Sequence, residues 1–245
     1  MKGGSEQGVS DSESAPLTSS LTFHSSPGSA SMPAPYPPDA PRDCPLCPRL
    51  VEYRLENARR NPDWFNGAVP SFGDPGARLL VAGLAPGRTG ANRTGRPFTG
   101  DHAGWLLYET LHRTGFARGG FDPDGNDALE LVDCMITNAV RCAPPGNKPL
   151  PIEEATCRPF LQSRLAALPR LKVIVTLGDV SRRNVLKALG RPGSAMPAGH
   201  GSEGRVGPYV LLNSYHCSRL NTNTGRLTAE MFEAVFLRAR SLLEG

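Results

Sequence analysis

Four short and almost unbroken apolar runs constrain this chain most: Leu79-Leu80-Val81-Ala82, Met135-Ile136-Thr137-Asn138-Ala139-Val140, Val173-Ile174-Val175-Thr176-Leu177 and Tyr209-Val210-Leu211-Leu212. A strand with one wet face alternates polar and apolar residues, so runs like these need cover on both faces. The segments between them carry helical periodicity. Trp105 to His112 is closed by Gly115, Glu153 to Leu168 is broken by Pro159 and Pro169, and Asp179 to Leu189 is closed by Gly190. A last helix, about Ala229 to Leu243, puts Phe232, Val235, Phe236, Ala239 and Leu242 on one face, with Glu230 and Glu233 early and Arg238 and Arg240 late, the order that suits the helix dipole. Alternation of this kind predicts an α/β fold, a three-layer α/β/α sandwich around a mostly parallel four-stranded sheet. Such sheets bind ligands beyond the carboxyl ends of their strands, so the loops after the first, second and fourth runs are the places to search.

Residues 1–43 are different. They hold ten Ser and seven Pro, with Phe23 and Tyr36 as the only aromatics, too little apolar surface to offset the entropy of ordering. The expectation is a disordered tail over 1–43 and one folded domain over 44–245. The tail holds two basic side chains against five acidic ones, so the positive charge of the chain, +4 in all, is concentrated in the domain. That balance favours polyanionic partners and is also ordinary for an enzyme. No stretch approaches a membrane span, and the first residues lack the apolar segment of a secretory signal, so a soluble, cytoplasmic protein is expected.

Cysteines supply the first chemical signal. Cys44 and Cys47 form C-P-L-C, and Cys142 and Cys157 follow. In a compartment that keeps thiols reduced, ligation is favoured over disulfides, and thiolates suit zinc and an iron–sulfur cluster alike. The spacing leaves both open, beside the plainer reading of Cys142 and Cys157 as small buried residues. Cys134 reads as core, and Cys217 has no partner at useful spacing.

The loop after the first run is rich in glycine: Gly83-Leu84-Ala85-Pro86-Gly87, then Asn92-Arg93-Thr94-Gly95-Arg96-Pro97-Phe98-Thr99-Gly100-Asp101. It is not a phosphate loop, because Arg96-Pro97 stands where such a loop needs Lys and a hydroxyl. Its glycines admit a ligand close to backbone amides, and Arg88, Arg93 and Arg96 are candidates to meet phosphates, though a solvated loop is the better explanation of any one of them.

These motifs, with V-R-C-A-P-P-G-N-K-P at 140–149, C-R-P-F-L at 157–161 and N-S-Y-H-C-S-R-L-N-T-N-T-G-R-L-T at 213–228, occur in the order seen in the family 5 (type b) uracil-DNA glycosylases, which residues 44–240 resemble. Leu84 stands where the related family 4 enzymes have Glu, which points to family 5. The resemblance implies a [4Fe-4S] cluster on Cys44, Cys47, Cys142 and Cys157. It also implies a monomer that acts on single- and double-stranded DNA, flips a deaminated base into a pocket and hydrolyses its glycosidic bond. On that basis Asp101 is expected to position or deprotonate the water, His216 to donate a hydrogen bond to the departing base, and Asn147 to lie near the reaction centre. Phe98 is expected to stack on the base, and Gly83 and Ala85 to bind it. Asn138, on the second run and outside the matched motifs, is expected to read its edge through its amide, at a place where many relatives are expected to carry a small apolar residue. Arg219 is expected on phosphate and Leu220 as the wedge that enters the duplex. Phe98 as a core aromatic and Asp101 as a helix N-cap are the plainer alternatives. Cys217 departs from the family pattern. No matched lysine is placed for a Schiff base, so strand cleavage is not expected. The competing reading is a non-catalytic nucleic-acid binding module with a structural zinc held by the four cysteines.

Overall fold

The computed structural model describes Met1 and residues 37–245. Its strands are β1 (Phe72–Gly73), β2 (Leu79–Gly83), β3 (Ala117–Arg118), β4 (Glu130–Leu131), β5 (Cys134–Asn138), β6 (Val173–Leu177), β7 (Ser202–Val206) and β8 (Tyr209–Ser214). Its helices are α1 (Pro48–Arg60), α2 (Ala91–Thr94), α3 (His102–Arg113), α4 (Pro151–Ala166), α5 (Asp179–Ala188), α6 (Arg219–Asn223) and α7 (Ala229–Glu244).

The four apolar runs are the four parallel strands β5, β2, β6 and β8, and every residue of β2, β5 and β6 is buried. The expected four-stranded sheet is widened to six strands in the order β1-β5-β2-β6-β8-β7, because antiparallel β1 and β7 close its edges. The sequence of β7, Ser202-Glu203-Gly204-Arg205-Val206, is polar and half-exposed, as suits an edge strand, and so carries no apolar signal.

Period-two alternation divides the core. Leu79 and Val81 face the layer of α3 and α7, with Leu107, Leu111, Phe232 and Phe236. Leu80 and Ala82 face the layer of α4 and α5, with Leu161, Leu165 and Val185. Truncating a fully buried Leu such as Leu80 to Ala costs ~2–5 kcal/mol in a site of this kind. A third cluster joins Leu50 of α1 to Val140, Phe160 and the cysteines.

Three expectations change. The helix expected from Trp105 starts at His102, because Asp101 caps it through a bond from the Gly104 amide at 3.3 Å. The helix expected to break at Pro159 runs through it from Pro151 to Ala166, held by burial of Cys157, Phe160, Leu161 and Leu165 on either side. The tail boundary moves as well. Residues 2–36 lie outside the described residues, but Asp39 takes bonds from the Ser71 amide and hydroxyl at 2.9 and 2.7 Å and pairs with Arg141 and Arg164. Arg141 is 1% exposed, so this segment supplies the countercharge that a buried guanidinium requires. Among the described residues, no helix is long and apolar enough to cross a membrane.

Candidate active site and cysteine cluster

Strand β2 ends at Gly83, in register with Asn138 at the end of β5. A Cβ at Gly83 would lie 2.4 Å from the Asn138 amide oxygen and 2.7 Å from the Phe98 ring. Contrary to expectation, Gly83 is therefore not among the lining residues but packs behind them and lets ring and amide stand together. Beyond this strand end lies a cavity of about 670 Å³, lined by Leu84, Ala85, Phe98, Asp101, Asn138, Asn147, His216 and Arg219 among others.

Phe98 is 9% exposed and adopts φ 56°, a left-handed conformation that a bulky residue takes only when its surroundings enforce it. Those surroundings are visible. Tyr108 Oη donates to the Pro97 carbonyl at 2.7 Å, and a Cβ at Gly104 would meet the Phe98 carbonyl at 2.0 Å. The two readings of Phe98, core aromatic and cavity wall, hold together. Asp101 is the helix N-cap and also lines the cavity. Its Oδ1 caps α3, while Oδ2 lies against Gly87 and Gly90, where added Cβ atoms would stand 3.3 and 2.9 Å away, and the residue remains exposed.

His216 follows β8. Its ring centroid is 6.1 Å from that of Phe98, with 31° between the planes. Burial lowers its basicity and the Asp101 charge acts in the opposite sense, with burial the larger effect, so the imidazole is neutral near pH 7. Asn138 is 3% exposed, yet its side-chain amide makes no hydrogen bond among the described residues and opens on the cavity. Asn147 reaches the cavity from an exposed turn with Gly146 and Asn147 both at positive φ. Arg219 starts α6 at the cavity rim. Leu220, 72% exposed, is not among the lining residues.

Two of the three loop arginines have acidic partners within the fold. Arg96 binds both Asp127 oxygens at 2.7 Å and lies among the Phe72, Tyr108 and Phe121 rings. Arg93 pairs with Asp124 at 2.6 Å, and Arg88 sits over the Trp64 ring. Arg96 in particular is spent on holding the loop rather than free for phosphate.

The second site is the cysteine cluster. Cys44, Cys47, Cys142 and Cys157, brought from before α1, its N-cap, the segment after β5 and α4, line one apolar cavity with Leu50, Val140 and Phe160. Burial first, and the neighbouring cysteines next, push the Cys47 thiol to about 11 and Cys142 to about 12, and burial raises Cys157. Such a set stays protonated unless something positive binds it. Donors already face the sulfurs: the Arg141 amide is 3.3 Å from Cys157 Sγ, and Arg54 Nη1 is 3.8 Å from Cys142 Sγ. Among the described residues, no group of three or more Cys, His, Asp or Glu side chains is gathered closely enough to hold a metal ion. Four cysteines on one cavity, two of them facing N–H donors, are a donor set that suits zinc and an iron–sulfur cluster alike. Cys134 and Cys217 are fully buried, Cys134 in the core as expected.

Sequence reasoning missed Arg54 and Asp39. Arg54 lies seven residues after Cys47 on α1, two turns on and therefore on the same face, which was a readable signal. Asp39 carried none, since its ionic partners lie more than a hundred residues away.

Residues 70–240 match the family model described as "Uracil DNA glycosylase superfamily". Three relatives are each named a type-5 uracil-DNA glycosylase. That of Thermus thermophilus is 46% identical over 81% of this chain and 93% of its own length. That of Mycobacterium tuberculosis is 43% identical over 81% and 78%, and that of Pyrobaculum aerophilum 40% over 80% and 88%. With Phe98, Asp101, Asn147 and His216 of the expected motifs at one cavity and the match spanning most of both chains, this protein belongs to the type-5 uracil-DNA glycosylases of the uracil DNA glycosylase superfamily.

Proposed function

We propose that this protein starts base excision repair by hydrolysing the bond between uracil and deoxyribose in DNA, leaving an abasic site without cutting the strand. The observation that carries the reading is that Asp101 and His216, 115 positions apart in the chain, line one cavity at the carboxyl end of the sheet.

A base in the duplex cannot be reached in its stack, so the nucleotide turns outward into the cavity. Phe98 offers a ring to its face, and Asn138 offers both an amide donor and an amide acceptor to its edge. Bond breaking builds positive charge on the sugar and negative charge on the base. Asp101 stabilises the first and aligns the attacking water. His216, neutral and already a donor, hydrogen-bonds the second, as suits an imidazole kept neutral by burial. Asn147 helps to hold the water, and Ala85 leaves room at the base. Arg219 meets phosphate while exposed Leu220 fills the gap in the stack. Apolar Leu84 at the cavity wall supports acceptance of other deaminated bases such as hypoxanthine.

Cys44, Cys47, Cys142 and Cys157 would hold a [4Fe-4S] cluster, which when bound supplies a rigid cross-link between α1, the 142 segment and α4. The protein acts as a cytoplasmic monomer on single- and double-stranded DNA. The experiment is an excision panel with uracil, hypoxanthine, xanthine and thymine mismatches in both kinds of DNA, beside analysis for iron, sulfide and zinc. Uracil release with iron and sulfide in equal amounts is expected. DNA bound without base release by a protein that carries zinc alone would turn the reading to the binding module.

A further inference from the structure

Helix α6 carries Arg219 and Leu220, yet it is not a free loop. Its Asn221 side chain donates to the His216 carbonyl at 2.8 Å, which ties one side of the helix to the strand end that bears the imidazole. Its other tie reaches α3, whose first residue lines the cavity. Thr222 Oγ1 stands 3.0 Å from Nε2 of His102, the first residue of α3 and the neighbour of Asp101. The hydroxyl has one proton, and it lies within reach of the Ser218 and Arg219 carbonyls at 3.3 and 3.2 Å. With that proton given to a carbonyl, the hydroxyl accepts from His102, so Nε2 carries hydrogen.

We infer that His102 is a positioning residue that, through Thr222, couples the seating of α6 on the duplex to the placement of Asp101. The inference deepens the uracil-DNA reading and rests on it. Helix α6 spans the two segments that hold the imidazole and the carboxylate. A displacement of Leu220 into the base stack therefore moves a body bonded to both. The His102–Thr222 bond is the link on the Asp101 side, and it involves no atom that the reaction itself needs.

Single-turnover excision from a uracil–adenine duplex, with 2-aminopurine next to the uracil to report loss of stacking, tests the link on full-length protein. Excision by the unmodified protein tests the underlying reading, and comparison among variants tests the coupling. His102→Ala and Thr222→Val are each expected to lower the rate about tenfold and to slow the fluorescence rise. The double variant should be no slower than either, as two ends of one bond require. His102→Gln, which keeps a donor, and Thr222→Ser, which keeps the hydroxyl, are expected to recover most of the rate. Thermal unfolding of each variant guards against simple misfolding. Additive losses in the double variant, or a slowed rate with an unchanged fluorescence rise, would overturn the proposal.

Discussion

The cavity beyond β2 and β8 and the cysteine cavity beside α1 treat polar groups in opposite ways. In the first, groups are held by their backbones and left unspent: Asn138 has an idle amide, His216 a neutral ring without a hydrogen-bond partner among the described residues, and Asp101 an exposed carboxylate. In the second, charged groups are paired within the fold, although the buried Arg141 Nε has no partner among the described residues. Arg141 and Arg164 meet Asp39, Arg49 meets Glu153 with two bonds of 2.7 and 2.8 Å, and Arg54 is turned onto a carbonyl and a sulfur. A polar side chain left without a protein partner at the wall of a cavity is free to meet a ligand there. The contrast separates a place that waits for a partner from one that braces the chain.

That contrast can be attacked from several sides. Asp101→Asn should cut single-turnover excision by roughly a thousandfold, within the range for losing a positioned base. Asparagine caps helices well, so its melting temperature should stay near that of the unmodified protein. A large drop in melting temperature would make Asp101 a brace instead. His216→Ala should lower the rate about a hundredfold with little change in binding to uracil-containing DNA, as removal of a donor to a developing anion does.

On the bracing side, Cys142→Ser should lose iron and broaden thermal unfolding; full iron retention would exclude Cys142 as a ligand. Asp39→Asn leaves Arg141 without its countercharge and should cost about 3 kcal/mol in urea titration while activity per folded molecule is kept. The smallest effect concerns pH. Burial depresses the His216 pKa below its unfolded value of 6.5, so the unfolded chain binds the extra proton first. Stability is complete above 6.5 and falls as pH drops toward the folded value. His200, also lowered by burial, acts in the same window. His216→Gln should flatten the slope of melting temperature against pH below 6.5 without abolishing it.

The parallel centre of the sheet was legible because strands covered on both faces must be apolar throughout. The edges were not, since β1 has two residues and β7 is half-exposed and polar. Pro159 misled for a related reason: propensity argued for a break, and the burial of Phe160 and Leu161 overrode it. At the site, Asp101, Phe98, Asn147 and His216 could be named from ordered motifs and Asn138 from its strand, and they do share one cavity. Gly83 was named for the wrong task, because a missing side chain leaves no trace of what it makes room for. The loop arginines were read as available since charge is visible in sequence and its partner is not. Asp127, 31 positions from Arg96, could not have been paired with it by spacing.

The missing methyl at Gly83 also limits how this enzyme could be retuned. An alanine there would press on the Asn138 amide and the Phe98 ring at once, shifting two cavity-lining side chains by a change to neither. Efforts to alter which damaged base is accepted therefore have more freedom at Leu84, on the open wall, than at the glycine one position before it.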